Sequence, residues 1–133
     1  MTSKVIYKNG LATVCEHLES HTSIRTAAPK DNQGDGSAFS PTDLTATSLA
    51  ACMLSIMGIY AAQHDIDLQD SYAEVTKVMY SEPRRIGEII ITIHMQHNIS
   101  DEKTYKILER VANSCPVAKS LHPDIKKQVT YHW

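Results

Sequence analysis

The sequence predicts an α+β fold with a largely antiparallel sheet, and three observations carry that prediction. Short β-rich segments crowd the first third, one long apolar stretch follows, and two long β-rich runs then precede a second helical region and a final strand. Strand runs alternating with helices in this order argue against a parallel βαβ arrangement. The 133 residues have the length for one domain, residues 1–133, with one core.

The elements follow in order. Lys4 to Tyr7, Leu11 to His17 and Thr22 to Thr26 read as short strands, and Asn9-Gly10 between the first two is a two-residue hairpin signal. Residues 28–40, APKDNQGDGSAFS, form a loop long enough to be packed or functional. Ser40-Pro41-Thr42-Asp43 starts a helix: a capping hydroxyl, a proline suited to the first helical position, and an acid in the first turn. The helix is expected to run to about His64 and to be apolar on almost every face, which a second copy of the chain would cover. Tyr72 to Tyr80 and Ile86 to His97 should pair as a hairpin, the second covered on much of both faces. Ser100-Asp101-Glu102-Lys103 caps a second helix ending near Asn113. Cys115-Pro116 opens a short helical turn, His122-Pro123 stops it, and Lys126 to His132 is the last strand.

Composition excludes several classes. Hydrophobic residues at 42% and charged residues at 21%, with five Gly and five Pro, disfavour disorder. A net charge of −2 supplies no footprint for a polyanion, so no nucleic-acid partner is expected. The strongly apolar run Leu49 to Ala62 has fourteen residues, short of a membrane span, so no membrane is expected either. The opening MTSKVIYKNG has no apolar export segment, which points to a cytoplasmic location. In such a reducing compartment the odd set Cys15, Cys52 and Cys115 argues against a structural disulfide framework and for transient, catalytic disulfide chemistry.

Cys52 lies in the apolar helix beside Thr45, Ser48 and Ser55; a small buried hydrophobe and a reactive thiol are both open to it. Cys115 sits at the expected cap of a helical turn, where free N–H groups favour a thiolate. Cys15 stands in a strand beside Glu16 and reads as structural. The seven histidines show no zinc-type spacing and the Gly34-Asp35-Gly36 segment no phosphate-loop pattern, so neither a metal nor another cofactor is expected.

The stretch Ser40-Pro41-Thr42-Asp43-Leu44-Thr45-Ala46-Thr47-Ser48-Leu49-Ala50-Ala51-Cys52-Met53, followed 62 residues later by Cys115-Pro116-Val117-Ala118-Lys119-Ser120-Leu121, resembles the paired cysteine motifs of the OsmC/Ohr family, and the likeness extends over essentially the whole chain. The resemblance implies an OsmC-like fold, with antiparallel sheets around a long buried central helix in an intertwined homodimer. It also implies a thiol peroxidase for organic hydroperoxides, with Cys52 at the peroxidatic and Cys115 at the resolving position. A dithiol reductant, in some family members a lipoylated protein, would reopen the disulfide.

The family pairs an N-terminal arginine with a carboxylate from the start of the long helix to activate the thiolate. Arg25 is the only arginine of the N-terminal region. Ten positions before Cys52, where peroxidase members of the Ohr branch carry glutamate, this chain has Thr42, and the acid follows at Asp43, about 100° further round a helix. Met53, Ile56 and Met57 are expected to form the apolar pocket for the alkyl part of the peroxide. The alternative reading is a dimer without peroxidase activity that binds a small apolar or electrophilic ligand in that pocket.

Overall fold

The computed structural model describes residues Met1–Trp133, which fall into two compact units, Met1–Thr45 and Ala46–Trp133. In the first unit β1 (Ser3–Lys8), β2 (Ala12–His17) and β3 (Ser23–Ala27) form an antiparallel sheet in the order β1-β2-β3. Lys8 pairs with Ala12, so the first hairpin turns through three residues, Asn9 to Leu11, rather than the two anticipated. Gly10 takes φ +79° there, a left-handed conformation that glycine adopts without steric cost. The loop after β3 is packed: Ala27 N donates to Phe39 O at 3.1 Å and Gly36 N to Ala28 O at 3.2 Å. A Cβ on Gly34 would lie 1.7 Å from the Ala28 carbonyl oxygen, so only glycine fits that crossing.

Helix α1 (Pro41–Ala62) begins in the first unit and supplies most of its length to the second. Its 22 residues make it long and apolar enough to cross a membrane by length and composition alone, so the fourteen-residue count understated it. Here, however, it packs on a sheet: Ala46, Leu49, Ala50, Met53, Met57 and Ala61 form one buried stripe. Burial on every face is not what the chain achieves, for Ala51 and Ser55 are exposed and Ile59 is 58% exposed. One sheet and one further helix cover only one side of a cylinder.

The second unit continues with β4 (Tyr72–Tyr80), β5 (Arg85–His94), α2 (Glu102–Asn113), α3 (Pro116–Ser120) and β6 (Lys126–His132). The β4–β5 hairpin is antiparallel, as expected, whereas β6 lies parallel to β5. That parallel pairing modifies the antiparallel expectation, and its cause is the connection: α2 and α3 carry the chain back before β6 begins, as a parallel crossover requires. Ile89, Ile91 and Ile93 of β5 are buried and the alternate residues half-buried, so the strand is covered fully on one face and in part on the other, as expected. Their buried face joins Leu49, Met53 and Met57 of α1, Leu108 and Ala112 of α2, and Cys115 in one apolar cluster.

Asp101 caps α2, accepting from Thr104 N at 3.0 Å; Leu108 and Ala112 face the cluster as the pattern predicts, with Val111 packed against it, while Tyr105 stacks on Trp133.

Candidate functional site

Cys52 and Cys115 meet in the second unit. Cys52 rides on α1 between exposed Ala51 and buried Met53, and is itself half-buried. On the same helix the Thr45 hydroxyl donates to Pro41 O at 3.0 Å and the Ser55 hydroxyl to Ala51 O at 2.8 Å. Such back-bonding satisfies a hydroxyl within its own helix.

Cys115 is the N-cap of α3, with Pro116 at the first helical position as the sequence suggested. Its sulfur accepts from Ala118 N at 3.4 Å, and the residue is only 1% exposed. The two cysteine side chains hydrogen-bond to each other, and both are free thiols.

The cap does not make Cys115 a ready thiolate, contrary to expectation. Burial pushes its thiol above the ordinary range, the Ala118 N–H pulls it back in part, and the hydrogen bond and charge of Cys52 push it further up. Desolvation of a sulfur in an apolar cluster outweighs the Ala118 and Val117 N–H groups of a five-residue helix. Cys115 therefore holds its proton, and Cys52 is the more accessible of the two sulfurs.

The other sequence-predicted residues are placed as follows. Met53 and Met57 are buried in the apolar cluster, and Ile56 is half-buried against it. Of the three, Met53 lines a cavity of about 190 Å³, with Leu49, Asn113, Ala118, Lys127 and Val129. Leu49 and Met53 lie near Cys52 in sequence and Asn113 and Ala118 near Cys115, while Lys127 and Val129 come from β6; Asn113, Lys127 and Val129 were not anticipated, because nothing local marks them. A larger open trough of about 740 Å³ runs along α2, lined by Asp101, Lys106 and Arg110 among others, and touches neither cysteine.

Arg25 and Asp43 belong to the first unit. Arg25 is exposed on β3 and donates from Nη1 to the Ser37 hydroxyl at 2.8 Å. Asp43 Oδ2 accepts from Ser40 N at 2.8 Å while Asp43 N donates to the Ser40 hydroxyl at 3.0 Å, a reciprocal capping box that starts α1. Cys15 sits on β2 with its sulfur 3.7 Å from the Thr13 hydroxyl, in a small hollow that includes Ile24 and His17.

Comparison with known proteins decides the family. The OsmC-like protein family is matched over residues 34–130. The chain belongs to the OsmC-like family. A candidate osmotic stress induced and detoxification response protein from Psychrobacter arcticus 273-4 has a similar structure, with a TM-score of 0.96 at 54% identity, covering 99% of this chain and 96% of that one. Organic hydroperoxide resistance proteins share the OsmC-like fold at lower identity. OsmC of Legionella pneumophila superposes with a TM-score of 0.77 at 19% identity over 100% of this chain and 98% of its own. OhrB of Bacillus subtilis does so with 0.69 at 18% over 99% and 98%. No curated protein matches the chain.

Proposed function

We propose that this OsmC-like protein is a thiol-dependent peroxidase for organic hydroperoxides, with Cys52 peroxidatic and Cys115 resolving. The observation that carries the reading is the pair itself: a half-buried thiol hydrogen-bonded to a fully buried one whose proton is held on. The names of its structural relatives as hydroperoxide resistance proteins support the same substrate class.

The chemistry balances. A Cys52 thiolate attacks the terminal oxygen of the hydroperoxide, the O–O bond breaks, and the alkoxide leaves with a proton as alcohol while Cys52 becomes a sulfenic acid. Cys115 then attacks that sulfur, the S–S bond forms, the S–O bond breaks, and its proton departs with the hydroxyl as water. A dithiol reductant, such as a lipoylated protein, reopens the bridge. Arg25, held in this reading by Asp43, supplies the positive charge that favours the thiolate, and Met53, Ile56 and Met57 accommodate the alkyl group.

The working form in this reading is a homodimer. Val5 at 60%, Tyr7 at 65% and Ile24 at 49% exposure leave apolar area on the β1–β3 sheet that a second copy would cover. The compartment is the reducing cytosol, where all three cysteines stay free. The 190 Å³ cavity lined by Leu49 and Met53 favours, as a second reading, a dimer that binds a small apolar or electrophilic ligand without turning it over.

Stopped-flow loss of free thiol on mixing with cumene hydroperoxide, and separately with hydrogen peroxide, tests the proposal in wild type, Cys52→Ser and Cys115→Ser. Fast reaction of wild type with the organic peroxide, none in Cys52→Ser, and a stable sulfenic acid in Cys115→Ser are expected. Reaction no faster than that of a small free thiol would leave the ligand-binding reading standing.

A further inference from the structure

The core-facing side of the second sheet carries an ammonium that the chemistry above does not use. Alternation along β6 puts Lys127, Val129 and Tyr131 on one face, in register with Ile89, Ile91 and Ile93 of β5, and Val129 and Tyr131 pack on the apolar cluster. Lys127 is thus a charged residue on an inward row, opposite an isoleucine that is 0% exposed. Its neighbour Lys126 lies on the other face and is paired, with Nζ 3.2 Å from Glu88 Oε1, whereas Lys127 has no ion pair. An inward lysine on an edge strand keeps foreign strands from pairing there. That role accounts for the charge but not for the space beside it.

The space is the cavity of about 190 Å³, walled by Leu49 and Met53 of α1, Asn113 of α2, Ala118 of α3, and Lys127 and Val129 of β6. Its apolar residues are buried or half-buried, and its two polar ones, Asn113 and Lys127, are exposed. The cavity therefore has an apolar floor and a polar rim. Water on the floor would find few hydrogen-bond partners, while a hydrocarbon chain gains by filling it. The rim offers the three N–H donors of an ammonium and the two of a carboxamide, with a single positive charge. A carboxylate answers that rim, since it brings one negative charge and two acceptor oxygens. An amine would be repelled by Lys127, and a neutral alcohol would leave its charge unmatched.

We propose that this cavity binds a short-chain monocarboxylic acid, with its chain on Leu49, Met53, Ala118 and Val129 and its carboxylate accepting from Lys127 and Asn113. At about 30 Å³ for each water-sized group the volume holds roughly six of them, which suits a chain of about five carbons with the acid group at the rim. The inference deepens the ligand-binding reading of the same cavity by naming the ligand's head group, and it needs no turnover at Cys52. Ala118 makes the wall continuous with the thiol site, because its N–H donates to Cys115 Sγ at 3.4 Å.

Pentanoate is the probe, titrated at neutral pH into the full reduced chain with its methionine methyl groups isotope-labelled for NMR. The Met53 methyl, assigned with Met53→Leu, should shift saturably with a dissociation constant of about a millimolar, while that of Met79, which does not line the cavity, stays put. Lys127→Gln should weaken pentanoate roughly fivefold, the effect of an exposed ion pair, and Lys127→Arg should restore it. Lys126→Gln, which removes the same charge from the other face, should change nothing. Pentan-1-ol should bind roughly fivefold more weakly than pentanoate and be indifferent to Lys127→Gln. Acetate, too short for the floor, should leave Met53 unmoved.

A Met53 signal that pentanoate does not shift would overturn the site altogether. Pentan-1-ol binding as well as pentanoate would refute the acid head group and leave an apolar-ligand cavity. Equal weakening by Lys126→Gln, or acetate moving Met53 as far as pentanoate does, would reveal an adventitious anion only and refute the proposal. Thiol chemistry enters none of these readouts, so failure here is separate from failure of the peroxidase reading.

Discussion

Cys52 on α1 and Cys115 at the N-cap of α3 hydrogen-bond to one another although 62 residues of helix, hairpin and helix intervene. Their environments differ, one half-buried and the other 1% exposed, and that asymmetry gives them different access to reagents.

Oxidation to a Cys52–Cys115 disulfide closes a loop of about sixty residues, which by chain entropy is worth about 4 kcal/mol against the unfolded state. The oxidised protein should unfold at distinctly higher urea than the reduced one. Cys115→Ser should show no difference between oxidising and reducing buffer, and urea titrations followed by Trp133 fluorescence give the comparison directly.

Asp43 serves the start of α1 whatever its catalytic part. Asp43→Ala removes the acceptor for Ser40 N and should cost about 1 kcal/mol of stability, whereas Asp43→Asn, which keeps an acceptor, should cost less. Thermal unfolding of the two variants separates them, and an unchanged midpoint in Asp43→Ala would show that the box contributes nothing.

Arg25 is exposed, and its hydrogen bond to Ser37 is a surface contact. Replacing it by methionine should change stability by less than about 0.5 kcal/mol. If it supplies the charge that favours a Cys52 thiolate, the same variant should react with cumene hydroperoxide at least tenfold more slowly at neutral pH and recover as pH rises. A slow rate that is flat with pH would point elsewhere.

Acid should release the start of α2. Hydrogen bonds from the Thr104 side chain, then its backbone N–H, hold the Asp101 carboxyl below its ordinary value of 3.8. A folded-state value below the unfolded one means that the contribution is complete above the unfolded value and is lost as pH falls through the folded one. Amide exchange at the first turn of α2 should therefore quicken as pH drops below about 4, once corrected for intrinsic exchange rates. Asp101→Ala should show that faster exchange already at neutral pH.

Much of this protein is legible in local sequence. Helix starts at Ser40–Asp43, Asp101 and Cys115-Pro116, the hairpin signal at Asn9-Gly10, and the apolar spacing along α2 are short-range patterns whose geometry is set within a few residues. The two cysteine motifs are equally local, so Cys52 and Cys115 stand out before any fold is known. Where the tertiary structure decided the outcome, the cause acts between residues distant in the chain. The parallel pairing of β6 with β5 depends on where α2 and α3 return the chain. The raised thiol of Cys115 depends on desolvation by a cluster drawn from α1, α2 and β5, which overrides the local preference of a helix cap for a thiolate. Tyr131 carries no local signal in the sequence; only the packing of β6 on that cluster buries its hydroxyl oxygen. Periodicity tells which side of an element is buried, but not which atoms it will meet there, and the chemistry of a site depends on those atoms.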